Sequence, residues 1–312
     1  MSDHLHLGDF TQKIGASPIP NYYGDALVTL AKNNPKIVAF TGDLTPATEC
    51  DLFRDTFPDR FFNLGIAEAN MIGVAAGMAR CGDVPFVHSF SVFLTRRAFD
   101  QVAMQVAYPR LNVKLAGFLP GLTTLLGVSH QSIDDFALMR SLPNMTIIEP
   151  SGPSQMAAAL RAAASIDGPV YLRMHKATET ISTAKIEHKI ELGKGQMLSN
   201  GNDAIIFACG HMVAEALNAA NLFEKVGISV AVANMHTLKP FDTDFVIEHA
   251  TRTGVAISAE NHSIIGGLGS AISEALAERQ ANTSVKFKRL GIMDTFAEGG
   301  STPYLFNKYG LS

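Results

Sequence analysis

Glu68 opens a run rich in small residues, Glu68-Ala69-Asn70-Met71-Ile72-Gly73-Val74-Ala75-Ala76-Gly77-Met78-Ala79, which follows turn residues at Asn63 and Gly65. Its neighbours in sequence, Ile66, Ala67, Met71 and Ile72, are apolar, so the run predicts a helix with a carboxylate buried at its start. A carboxyl taken out of water keeps its proton to higher pH than an exposed one, which suits proton exchange near neutrality. The local pattern favours a plainer reading, a Glu placed at the positive end of a helix dipole. Farther on, Phe90 and Phe93 stand three residues apart after Val84-Pro85-Phe86-Val87-His88. They are either faces for a planar ligand or core residues beyond a strand. His130 lies between Ser129 and Gln131, which marks a polar loop rather than a buried structural histidine. Asp43 follows Gly42 and also reads as a turn residue.

These residues need a frame. Short apolar runs at Ile37–Phe40, Val84–His88, Asn112–Gly117, Met145–Ile148 and Pro169–Met174 read as strands. Between and before them Tyr22–Lys32, Phe99–Ala107, Ile133–Arg140 and Gln155–Ala164 carry helical periodicity. Such alternation implies a mostly parallel sheet flanked by helices, with ligand residues beyond the carboxyl ends of the strands. Thr, Lys and Glu accumulate without an apolar period between Lys176 and Lys194, a surface linker. After it the alternation resumes, with strands at Asp203–Cys209, Ile228–Ala233 and Val285–Leu290 and helices at Met212–Val226 and Gly269–Glu278. The fold class is therefore α/β, in two domains. Residues 1–183 form the first with an N-terminal arm, 184–195 the linker, and 196–312 a smaller second domain.

The chain has 312 residues, 47% hydrophobic and 17% charged, with a net charge of −4 and no Trp. No basic run supports nucleic-acid or membrane-surface binding. No apolar run approaches the roughly 18 residues that span a bilayer, and the first residues lack the pattern of a signal peptide. Cys50, Cys81 and Cys209 are few and far apart, so neither a disulfide framework nor a zinc site is expected. The expected compartment is the cytoplasm.

Taken in order, these stretches resemble the pyrimidine-binding half of a transketolase. The Gly65-Ile66-Ala67-Glu68 turn, the Pro85 strand ending in Phe90 and Phe93, and Arg97-Ala98 carry the likeness. Ser129-His130-Gln131-Ser132, Leu142-Pro143-Asn144-Met145 and Asp167-Gly168-Pro169-Val170-Tyr171-Leu172-Arg173 continue it. Leu238-Lys239-Pro240-Phe241-Asp242, Glu260-Asn261-His262, Gly266-Gly267-Leu268-Gly269 and Phe296-Ala297-Glu298-Gly299-Gly300 extend it almost to the C-terminus. The resemblance implies thiamine diphosphate as cofactor, with Glu68 hydrogen-bonded to its aminopyrimidine ring and shuttling a proton. It implies Phe90 and Phe93 as stacking partners of that ring, and Asp43 and Leu44 as contacts reaching the cofactor across a subunit interface. His130 would meet substrate hydroxyls, and Arg173 would hold an acceptor's phosphate through its guanidinium fork.

The departures matter as well. The family's Gly-Asp-Gly motif for the diphosphate and Mg²⁺ is missing; Gly24-Asp25-Ala26 and Gly42-Asp43-Leu44 come nearest. Gly266-Gly267-Leu268-Gly269 resembles a phosphate cradle, but as a lone glycine cluster it is a weak signal. A full transketolase is about twice as long. The resemblance therefore implies the C-terminal subunit of a split transketolase, with no metal ligand of its own. An N-terminal partner would bring the diphosphate site and Mg²⁺ in an α₂β₂ assembly. Three polar groups of the family are replaced: Leu126 and Phe118 stand at or near two of them, and Pro20 or Asn21 near the third. Arg96 stands where many transketolases have a further aromatic. These changes predict a more apolar pocket than the usual one, and a two-carbon ketol donor that is either a ketose phosphate or a modified or differently branched sugar. Two alternatives stay open, the β subunit of a 2-oxoacid dehydrogenase and a non-catalytic scaffold subunit.

Overall fold

The computed structural model describes residues 22–175, 189–279 and 285–312. The N-terminal arm, Pro20, Asn21 and the linker up to residue 188 lie outside the described residues.

The first half of the chain builds α1 (Tyr22–Asn33), β1 (Ile37–Thr41), α2 (Asp51–Thr56), β2 (Phe61–Asn63), α3 (Glu68–Arg80) and β3 (Val84–Phe90). An irregular helical stretch follows, with π-helical turns at Phe93–Arg97 and Val102–Ala107 on either side of α4 (Phe99–Gln101). Then come β4 (Lys114–Phe118), α5 (Asp135–Ser141), β5 (Thr146–Ile148), α6 (Pro153–Ser165) and β6 (Val170–Met174). Strand residues alternate between two cores, as a period of two requires. Val38, Phe40, Val87 and Leu115 face Met71, Ile72 and Ala75 of α3. Ile37, Ala39, Phe86 and Ala116 face Leu27 of α1 and Leu160 of α6.

The second half contributes β7 (Gln196–Ser199), β8 (Ala204–Ala208), α7 (Met212–Glu224), β9 (Val230–Asn234), β10 (Thr237–Lys239), α8 (Thr243–Thr253), β11 (Val255–Ser263), α9 (Leu268–Glu278), β12 (Lys286–Ile292) and α10 (Thr302–Tyr309). Its five-stranded sheet runs β12-β11-β8-β9-β7, parallel except for β7.

The seven-stranded sheet runs β10-β5-β6-β4-β3-β1-β2. Six of its strands are parallel, and β10 from the second half pairs antiparallel with β5 at one edge. Lys239 on β10 donates to the carbonyls of Arg140 (2.9 Å) and Leu142 (2.6 Å), satisfying backbone acceptors at the end of α5. One apolar cluster runs without a break from α3 and β4 through Met139, Ile147 and Leu238 to Phe207 and Ile272, so the halves share a core. No helix among the described residues is long and apolar enough to cross a membrane.

Candidate functional site

Four sheet neighbours, β4, β3, β1 and β2, end on the same side, and their following loops converge. Asn63 ties two of these loops together. Its Oδ1 accepts from the backbone N–H of Asp43 (3.1 Å) and of Gly65 (3.0 Å). Gly65 takes a φ of +71°, a turn that a side chain would strain, and Glu68 follows as the first residue of α3.

Glu68 is buried, with 1% of its surface exposed. Ser89 on β3 donates to its Oε1 at 3.1 Å, and Arg97 donates through Nη1 to its Oε2 at 2.8 Å. A Cβ at Gly42 would stand 3.5 Å from that Oε1, so the loop after β1 lies directly against the carboxylate. Asp43 is exposed with φ +64°, and Leu44 is half-buried against the α1 core. Ile66 is 74% exposed, so the apolar neighbours expected around Glu68 do not all cover it.

Phe90 and Phe93 lie 5.8 Å apart with their planes 31° from parallel. Phe90 is buried in the core, whereas Phe93 is half-buried at its margin and carries the Arg97 guanidinium 4.1 Å from its ring centroid. The His130 ring meets Phe93 at 5.2 Å and Phe90 at 6.1 Å, and its Nδ1 lies 2.9 Å from Ser129 Oγ. Partial burial and then the charge of Arg97 lower the His130 pKa, so a neutral imidazole faces this space at pH 7. The loop bearing His130 is held from the second half. Asn261 Oδ1 accepts from the N–H of Leu122 (2.9 Å), and Gln131 Nε2 donates to the carbonyl of Glu298 (2.9 Å).

Glu68, Phe93 and His130 are thus brought together, with Phe90 behind them and the Asp43–Leu44 loop at the border. Arg173 is not among them. Its guanidinium is wholly buried; Nε and Nη2 meet Asp135 at 2.7 and 3.2 Å, Nη1 meets Glu149 at 2.6 Å, and Nη2 also meets the Asn261 carbonyl at 2.8 Å. Burial opposes ionisation of Glu149, yet Arg173 and His175 hold its carboxyl down to about 2. Arg173 is thus committed to Asp135, Glu149 and Asn261, apart from Glu68, Phe93 and His130, rather than presented at a strand end for an acceptor's phosphate. Phe118 is also off the pocket surface, fully buried with its ring 5.0 Å from Tyr23. Leu126 is half-buried in the His130 loop, and Arg96 is held by both oxygens of Asp134 at 2.9 Å.

The glycines at 266–269 form no open cradle. Glu260 fills the space they leave, accepting from the N–H groups of Leu268 (2.6 Å) and Gly269 (2.8 Å), and burial raises its pKa to about 7.

Sequence reasoning missed Ser89 and Arg97. Strand alternation could have found Ser89, which shares its parity with Val87 on the face toward α3. Among the described residues no group of three or more His, Cys, Asp or Glu side chains could hold a metal ion.

Two family models match the chain, the transketolase pyrimidine-binding domain over residues 18–179 and the transketolase C-terminal domain over 193–312. A 6-deoxy-6-sulfo-D-fructose transketolase subunit from Clostridium sp. (strain MSTE9) is 43% identical over 304 residues, 97% of this chain and 93% of that protein. A putative transketolase C-terminal section from Methanocaldococcus jannaschii is 40% identical over 291 residues, 93% of this chain and 90% of that one. A solved split-gene transketolase, an inactive β4 tetramer, superposes with a TM-score of 0.84 at 44% identity, covering 94% of this chain and 93% of that one. These matches do not favour the 2-oxoacid dehydrogenase alternative.

Proposed function

This chain belongs to the transketolase family, as the C-terminal subunit of a split, thiamine-diphosphate-dependent enzyme, and we infer that Glu68 is its acid–base residue. The observation that carries this reading is a buried carboxylate beside an aromatic face and a neutral histidine, with a glycine loop packed against it. These residues fit the aminopyrimidine end of thiamine diphosphate. When bound, that cofactor supplies the carbanion chemistry that moves a two-carbon ketol unit from a ketose to an aldose. Glu68 would hold the ring and pass a proton at its nitrogen, with Ser89 fixing the orientation of the carboxylate. Phe93 would offer the stacking face, with Phe90 supporting it. His130 would meet the substrate's hydroxyls as a neutral donor or acceptor. Asp43 and Leu44 would touch cofactor held mainly by another subunit.

The diphosphate and Mg²⁺ are assigned to an N-terminal partner, in an α₂β₂ complex, because the Gly-Asp-Gly motif is missing from this sequence. The substrate is read as a modified ketose. The relative named for a 6-deoxy-6-sulfo sugar supports this. Titration calorimetry tests the assembly. The isolated chain should bind thiamine diphosphate and Mg²⁺ weakly and show no turnover, and adding the partner should restore both. Tight, Mg²⁺-dependent binding by the isolated chain would overturn this reading.

A further inference from the structure

We propose that Arg97 occupies the seat of the cofactor's aminopyrimidine ring in the unloaded chain and has to leave it when the cofactor enters. The inference rests on the assignment of Glu68 and Phe93 as that seat. A guanidinium is a planar cation with N–H donors along its edges. That of Arg97 lies 4.1 Å from the Phe93 centroid and donates to Glu68 Oε2 at 2.8 Å. An aminopyrimidine ring held by these two side chains needs the same ring face and the same carboxylate edge. Ser89 already takes Oε1, so Oε2 is the oxygen in contention.

The contact is also built to open. Arg97 keeps 44% of its side chain in solvent, and its ion pair is with Glu68 alone among the described residues. Its neighbour Arg96 is fixed by both oxygens of Asp134 and is not free to replace it. The π-helical turn over Phe93–Arg97 carries the stacking ring and the guanidinium that covers it on one short segment. Once displaced, Arg97 is hydrated at little cost because it stands at the surface. The Glu68 carboxylate has no such freedom, being 1% exposed, so it needs a donor in place of the one it loses. A ring nitrogen only accepts, so cofactor entry replaces that donor with a proton held between Glu68 and the nitrogen, which makes loading an exchange of cation for proton rather than the filling of a space. Removing Arg97 should therefore tighten binding at the seat.

The test uses the full-length chain and 4-amino-5-hydroxymethyl-2-methylpyrimidine, which is the aminopyrimidine half without the diphosphate and so asks nothing of a partner subunit. Affinity is read by calorimetry or saturation-transfer NMR, with the urea midpoint of each variant confirming that it folds. A charge-assisted hydrogen bond and a cation–π contact are both competed away, so R97A should bind the probe roughly 5–30-fold more tightly than the parent. R97K, which keeps the charge but not the planar fork, should fall between the two. In the parent, the Arg97 side-chain ¹⁵N resonances should shift toward those of a solvated guanidinium as the probe is added. Equal or weaker binding by R97A, with F93A and E68Q still losing affinity, would overturn the displacement and leave the seat intact. Affinity that ignores all of these substitutions would remove the seat, and the proposal with it.

Discussion

Of the carboxylate–guanidinium assemblies in the first half of this chain, those of Arg97 and Arg173 differ most in what surrounds them. Arg97 meets one oxygen of Glu68, spreads over Phe93 and leaves much of its side chain in water. Arg173 meets Asp135, Glu149 and the Asn261 carbonyl and lies over Phe136, with nothing exposed. The first pair can exchange a partner because solvent takes up the displaced cation. The second cannot, because each buried charge depends on the others to offset its desolvation. The open pair is the one we propose as a place for a ligand. The closed one joins the strands of one sheet to β11 of the other.

Replacing Arg173 should break the closed assembly most severely. R173M leaves Asp135 and Glu149 without their cation, and removing one partner of a buried pair typically destabilises by roughly 3–5 kcal/mol. Urea unfolding measures this. A loss below about 1 kcal/mol would mean that the assembly does not hold the two halves together.

The contrast between the assemblies was only partly legible in the sequence. Strand and helix alternation, the parallel sheets and the buried Glu68 at a helix start follow from local pattern, and each is present. The surroundings of Arg173 are not local. Its partners lie 38, 24 and 88 residues away, and an Arg ending a strand reads the same whether it faces solvent or a core. Arg96 and Arg97 are adjacent, and only the π-helical turn decides which one reaches Glu68. The three-residue β10 carries too little pattern to announce itself, and it joins the other half's sheet by pairing with β5, with Lys239 and Leu238 adding side-chain contacts. Gly266–Gly269 resembled a phosphate cradle because its glycines do make room, but for Glu260 from eight or nine positions upstream.

Acidification should separate the regions by a smaller effect. Burial holds His88 down to about 4, and burial with the charge of His175 does the same to His211 beside the closed assembly. Burial alone lowers His236 to about 4. In an unfolded chain these groups titrate near 6.5. Their stabilisation is complete above that pH and is lost as pH falls toward 4, because the unfolded state takes up protons the native state refuses. Glu260, raised by burial to about 7, works in the opposite direction and gains stability for the native state as pH falls below 7. Three histidines against one glutamate leave a net loss on the order of a few kcal/mol between pH 6.5 and 4.5. Melting temperatures across this range should fall steadily, and a flat profile would show that the buried imidazoles accept protons without penalty.

The smallest effect is expected at the open pair. R97A should cost about 1–3 kcal/mol in urea unfolding, because the buried Glu68 keeps its bond from Ser89 and loses only the donor on Oε2. A loss as large as that of R173M would make Arg97 part of the scaffold and erase the distinction between the assemblies.

The acid–base role proposed for Glu68 is tested most directly by hydrogen exchange at the thiazolium carbon of thiamine diphosphate in the reconstituted enzyme. Followed by NMR in heavy water, this exchange needs no sugar and so separates cofactor activation from substrate binding. E68Q keeps the size of the side chain and a hydrogen bond but removes the group that passes the proton. A positioned acid–base group contributes about 10²–10⁴-fold, so exchange and turnover should slow together by at least 10²-fold while the assembly stays intact. Exchange within a few-fold of the parent would contradict the assignment and return Glu68 to the role of a helix-start carboxylate.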